Sequence, residues 1–116
     1  MAHKHSSLDR RYDDRHPGTG LRAHIEGCDV DVVDVSIGGV KLALPSNRVY
    51  QIQNKVEFVL VSTHWPDMRP AQGRGVVRAA TADWIAVQFV NPTYNLMKCV
   101  SRHVGTLLWG NKPYGY

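Results

Sequence analysis

About six separate stretches of this chain repeat a period of two, an apolar residue at every second position with a polar one between. That pattern constrains the fold more than any other feature, because successive side chains of an extended backbone point to opposite faces and the apolar face must be covered. Leu21, Ala23 and Ile25 alternate with Arg22, His24 and Glu26, and the period returns in Val33–Ile37, Val40–Leu44, Val56–Leu60, around Gly75 to Arg78, and in Ile85–Phe89. These read as short half-buried strands. Turns are expected at Gly27, at Gly38-Gly39 and at Ala80 to Asp83, with longer polar loops over Pro45 to Asn54 and Ser62 to Gly73, carrying Pro45, Pro66 and Pro70. The connectivity predicts a meander of antiparallel strands. Val30 and Val32 share parity with Asp34 rather than with Val33 and Val35, so a bulge or a frayed strand start is expected there.

After Phe89 the period changes. Asn91 reads as a helix N-cap and Pro92 as the first helical position. Leu96, Met97, Val100, Val104, Leu107 and Leu108 then recur at spacings of three and four as one apolar stripe, and Gly110 is placed to end the helix. Gly105 weakens it by about 1 kcal/mol relative to Ala, so irregularity near its end is expected. The helix is expected to close one end of the sheet, with Trp84 packing at a strand start and Trp109 against the barrel end. An open sheet would leave two bare edges, and closure removes them. The expected fold is therefore all-β, a six-stranded antiparallel β-barrel with a C-terminal α-helix.

With 116 residues and 14 Lys+Arg against 10 Asp+Glu, the chain has room for one small basic domain of net charge +4. Residues 1–20 read as a flexible basic arm, 21–110 as the barrel plus helix, and 111–116 as a C-terminal tail. No apolar run approaches the roughly 18 residues of a membrane span, and Met-Ala-His-Lys-His-Ser-Ser lacks the apolar segment of a secretion signal, so a cytoplasmic protein without membrane insertion is expected. Cys28 and Cys99 have no metal-type spacing and read as reduced packing residues, and His3 and His5 sit in a tail too polar to order itself into a functional metal site. No metal and no cofactor are expected. Nothing resembles a nucleophile elbow, a phosphate loop or a zinc-protease helix, so no catalytic residues are expected and the protein does not read as an enzyme.

Two clusters carry binding chemistry. Arg11 and Arg15 are four apart, which presents two guanidinium forks on the same side of either a helical or an extended segment. A guanidinium bonds bidentately to phosphate or to guanine O6 and N7, and stacks on purines. In Asp34-Val35-Ser36-Ile37-Gly38-Gly39, Asp34 and Ser36 are two apart on a strand and should face outward together, opposite Val33, Val35 and Ile37. A carboxylate accepts two hydrogen bonds from the N1 and N2 edge of guanine, a hydroxyl can donate or accept, and a glycine corner lets a flat ligand approach the backbone.

Together these clusters resemble the two-part signature of the PilZ domain family, RxxxR followed by (D/N)xSxxG. Arg11-Tyr12-Asp13-Asp14-Arg15 and Asp34-Val35-Ser36-Ile37-Gly38-Gly39 fill every position, and the resemblance runs from Arg10 to about Trp109. It implies a PilZ-type barrel acting as a bacterial receptor for cyclic di-GMP. Arg11 and Arg15 would bind guanine and phosphate, Asp34 a guanine edge, Ser36 the ligand by hydrogen bond, and Gly39 would allow close approach. Arg10, directly before the arginine pair, implies a stacked pair of ligand molecules. Asp13 and Asp14 lie between the arginines and bear on affinity.

The expected mechanism is an arm ordered against the barrel by the ligand and read by an unidentified downstream protein, in control of motility, biofilm or exopolysaccharide. Two rivals stand beside it. A small basic β-barrel could bind single-stranded nucleic acid through aromatics such as Tyr12, Trp65 and Trp84, although the basic residues cluster in the arm instead of interleaving with aromatics. A PilZ-like adaptor could act through protein contacts without the nucleotide.

Overall fold

The computed structural model describes residues 15–44, 47–65 and 67–109, the side chains of 108 and 109 excepted. His3, His5, Arg10, Arg11, Asp13, Asp14, Pro45, Pro66, Gly110, the tail and the Trp109 side chain lie outside the described residues. Among the described residues there are seven strands and one helix: β1 (His16–Pro17), β2 (Leu21–Ile25), β3 (Cys28–Ser36), β4 (Gly39–Ala43), β5 (Lys55–Ser62), β6 (Ala71–Ala80), β7 (Trp84–Phe89) and α1 (Tyr94–Trp109). All pairings are antiparallel, and β3, β2, β5, β6, β7 and β4 close into a six-stranded barrel through the β3–β4 pairing. The expected barrel with a C-terminal helix is the observed fold.

The order is not a single meander. β2-β3-β4 and β5-β6-β7 are two separate meanders, joined where β2 pairs with β5 and β4 with β7. A run of hairpins that closes only on its first and last strands would leave β4 beside β5. Here the long connection after β4 carries the chain across to β5, so each meander contributes both edge strands to the seams.

The alternation fills the interior as expected. Leu21, Ala23 and Ile25 of β2, Val56, Phe58 and Leu60 of β5, Val77 of β6 and Ile85, Val87 and Phe89 of β7 are buried together. Each such Val, Leu, Ile or Phe contributes about 1.5 to 3 kcal/mol of transfer free energy. The expected irregularity in β3 is a register shift between Val32 and Asp34 in its pairing with β4. It corrects one face assignment. Val30 and Val32 point inward, Val33 is the extra residue and lies 45% exposed, and Val35 returns to the core. Ile37 at the hairpin tip is exposed as well, so the face shared by Val33, Val35 and Ile37 does not exist. Inserting one residue reverses side-chain parity beyond it.

α1 packs on β5, β6 and β3 with Leu96, Cys99, Val100 and His103 inward. The apolar stripe is correct in Leu96 and Val100, with Met97 and Val104 packed at its border, but Leu107 is 41% exposed. The N-cap is Thr93 rather than Asn91. Thr93 Oγ1 accepts the Leu96 amide at 3.0 Å and donates to the Gln72 carbonyl at 3.1 Å, while Asn91 turns the chain with a φ of 47° before the helix begins. α1 runs through Gly105 without a break. Among the described residues no helix is long and apolar enough to cross a membrane. Cys28 is half-buried and Cys99 buried, both as free thiols, and burial raises the Cys99 pKa.

Candidate ligand-binding site

Strand β1 was not signalled by periodicity, and it positions the site. His16 faces Val35 and Pro17 faces Asp34, so β1 lies on the stretch of β3 that β2, paired with Cys28 to Asp31, does not reach. The turn into β2 is pressed against β3. The Gly18 amide donates to the Val33 carbonyl at 3.1 Å, and a Cβ on Gly18 would collide with the Val32 carbonyl. A second anchor comes from α1. His103 Nε2 sits 2.7 Å from the Pro17 carbonyl. Burial lowers the His103 pKa, the Pro17 carbonyl opposes that shift, and His64 and His16 reinforce it, so the ring is neutral at pH 7 and donates from Nε2.

Held this way, the residue before β1 falls on the predicted motif. Arg15 Nη1 donates to Ser36 Oγ at 3.1 Å, and Arg15 Nε lies 3.0 Å from Asp34 Oδ1. Three signature positions, Arg15, Asp34 and Ser36, therefore meet although they are far apart in the chain. Ser36 is buried, and its hydroxyl is fully engaged, accepting from the Gly38 amide at 3.2 Å and reaching the Gly39 carbonyl at 3.5 Å. Asp34 is partly exposed. Both side chains meet Arg15, but they do not form one outward platform, because Ser36 is buried whereas Asp34 is partly exposed.

The electrostatics of the corner are lopsided. Asp34 Oδ1 is buried and has the Arg15 charge beside it, but the Nε–H is not aligned with it and it accepts no hydrogen bond among the described residues. A buried carboxylate oxygen in that state retains unused acceptor capacity. Lys41, which sequence reasoning missed, lies with Nζ 3.8 Å from Asp34 Oδ2 and 4.2 Å from the centroid of Trp84. It could have been found by counting across the hairpin: the pairs Ser36 with Gly39 and Val35 with Val40 place Lys41 opposite Asp34.

Gly39 has a structural task of its own. It pairs with Gln88 of β7, and a Cβ there would collide with the Val87 carbonyl, so the glycine lets β4 and β7 close the barrel. Of the aromatics considered for base stacking, Trp84 has Lys41 on its face and Trp65 has the Arg102 guanidinium at 4.1 Å. Tyr12 lies outside the described residues.

No family model and no curated protein matches this chain. Solved structures that share its fold include two of differing coverage. One is the Bacillus subtilis inhibitor of motility, MotI/DgrA, with a TM-score of 0.68 at 11% identity over 84% of this chain and 50% of that one, so this chain spans half the length of the Bacillus protein. The other is an uncharacterized Legionella protein, with a TM-score of 0.58 at 12% identity over 81% of this chain and 92% of that one. At these identities the likeness is one of fold.

Proposed function

We propose that the corner formed by Arg15, Asp34 and Ser36 is the binding site of a PilZ-type receptor for cyclic di-GMP. The observation that carries this reading is the meeting of the two halves of the signature, with Arg15 Nη1 and Nε about 3 Å from Ser36 and Asp34. The mechanism is an exchange of partners. Arg15 moves from Asp34 to a ligand phosphate, and the N1–H and N2–H of guanine donate to the released carboxylate, beginning with the unused Oδ1. One ligand replaces both halves of the ion pair, so neither charge is left without a partner. Lys41 stays beside Asp34 and limits the repulsion between that carboxylate and the incoming phosphate.

By motif position Arg11 joins Arg15 on the ligand, and Arg10 admits a second, stacked molecule. Gly39 serves the ligand indirectly, by holding the corner in place. Removing Arg15 from Asp34 pulls on β1, which is tied to α1 through Pro17 and His103, and that movement is the signal passed to a downstream protein. Such an effector acts in the bacterial cytoplasm, and the shared fold with an inhibitor of motility favours flagellar motility as the process controlled.

Calorimetric titration of the full chain with cyclic di-GMP, against GTP and linear diguanylate, tests the proposal. The cyclic ligand is expected to bind at least about tenfold more tightly than either control, a difference of about 1.4 kcal/mol. Equal affinities, or ligand-induced amide shifts in the nuclear magnetic resonance spectrum that avoid β1 and the β3–β4 corner, would overturn it.

A further inference from the structure

Helix α1 carries Lys98, Arg102 and His103 and not one Asp or Glu among its sixteen residues. Lys98 and Arg102 are one turn apart, a spacing at which like charges repel by a few tenths of a kcal/mol when nothing lies between them. Facing them from the loop between β5 and β6 is Arg69. These three cations, with Asp67, Met68 and Asn95, line a concavity of about 380 Å³. Arg69, Lys98 and Arg102 take part in none of the ion pairs among the described residues. Asp67 is the one acid among the described residues of the wall.

The cations are not all loose. Arg102 lies over Trp65 at 4.1 Å. The indole Nε1–H donates to Thr106 Oγ1 at 3.2 Å, Thr106 donates to the Arg102 carbonyl at 2.9 Å, and the Trp65 amide donates to Ser62 Oγ at 3.0 Å. Stacking covers one face of the guanidinium and leaves its N–H edge available to a planar oxyanion, with part of the ordering entropy already spent.

We propose that this concavity is a docking surface for an acidic segment of a partner protein, whose Asp and Glu side chains pair with Arg69, Lys98 and Arg102. A protein segment suits the site better than a nucleic-acid strand. Bases need open aromatic faces; none of the described residues lining the concavity is aromatic, and Arg102 covers one face of the neighbouring Trp65. Asp67 would stand among closely spaced phosphates, whereas a peptide can place a neutral side chain there, against half-buried Met68. None of the lining residues belongs to the Arg15 corner, so this surface does not depend on the nucleotide reading.

The test is fluorescence anisotropy of a labelled peptide of alternating Glu and Gly titrated with the full chain at physiological salt, beside a Lys-Gly peptide and a thymidine oligonucleotide of similar length. The triple variant Arg69→Glu, Lys98→Glu, Arg102→Glu is expected to lose at least about tenfold in affinity for the acidic peptide, the scale of a truncated interfacial charge cluster. A control triple of equal charge change, Lys55→Glu, Arg74→Glu, Arg78→Glu, is expected to lose less than about threefold through long-range field alone. Glutamine at the same three groove positions, with folding checked by circular dichroism, covers the case of a reversal that fails to fold. Equal losses in the two triples, or tighter binding of the oligonucleotide than of the acidic peptide, would overturn the proposal.

Discussion

At the β3–β4 corner both described cations already have a carboxylate: Arg15 and Lys41 share Asp34 at 3.0 and 3.8 Å. On α1 and the facing loop, Arg69, Lys98 and Arg102 have none among the described residues. The contrast teaches how each surface can select. A prepaired corner repels nothing and attracts weakly, so a ligand enters only if it supplies a substitute for both members of the pair. An unpaired cluster attracts at a distance and discriminates by charge, so its associations are expected to be fast and salt-dependent.

The sharpest way to break this comparison is Gly39→Ala. If the glycine exists to let β4 approach β7, the Cβ should cost up to about 3 kcal/mol of stability without any ligand, read as a lowered denaturation midpoint. Unchanged stability with lost nucleotide binding would return Gly39 to a direct ligand role. Next in size, Arg15→Ala should weaken cyclic di-GMP binding by about 2 kcal/mol, or thirtyfold, at the low end for a charged pair because Arg15 is 38% exposed. The same variant should leave acidic-peptide binding on α1 unchanged, and a parallel fall in both titrations would merge the two regions into one field. Ser36→Ala removes a buried hydroxyl acceptor from the Gly38 amide and should cost about 1 to 2 kcal/mol of stability, measured by chemical denaturation.

The smallest effect concerns pH. Burial depresses the His103 pKa below its unfolded value near 6.5, so the unfolded state binds the extra proton first. Stability from this group is complete above pH 6.5 and declines as pH falls through the folded value. His103→Gln should flatten that part of the thermal midpoint profile below pH 6.5. An unaltered profile would detach β1 from α1.

Much of the barrel was legible because burial on one face writes itself into each strand as alternation, as in Leu21-Arg22-Ala23-His24-Ile25. The bulge was legible for the same reason, as a parity conflict between Val32 and Val33, but alternation alone does not say which of the two is the extra residue. β1 was hidden because two residues carry no period, and a strand of that length exists only through its partner. The order of the two meanders was equally hidden, since alternation says nothing about which strands are neighbours. At the site, Asp34 and Ser36 stood out from local spacing, and Lys41 follows from hairpin register. His103 and Trp84 did not, because each reaches the site region through contacts distant in sequence.

One consequence of β1 concerns self-association. Strand addition between molecules needs a run of free amides and carbonyls along a sheet border. The barrel seals its six strands against one another, and the border that β1 presents is two residues long, one of them a proline with no amide hydrogen to offer. Among the described residues, the same short segment that delivers Arg15 to its acid therefore offers a second molecule little to pair with.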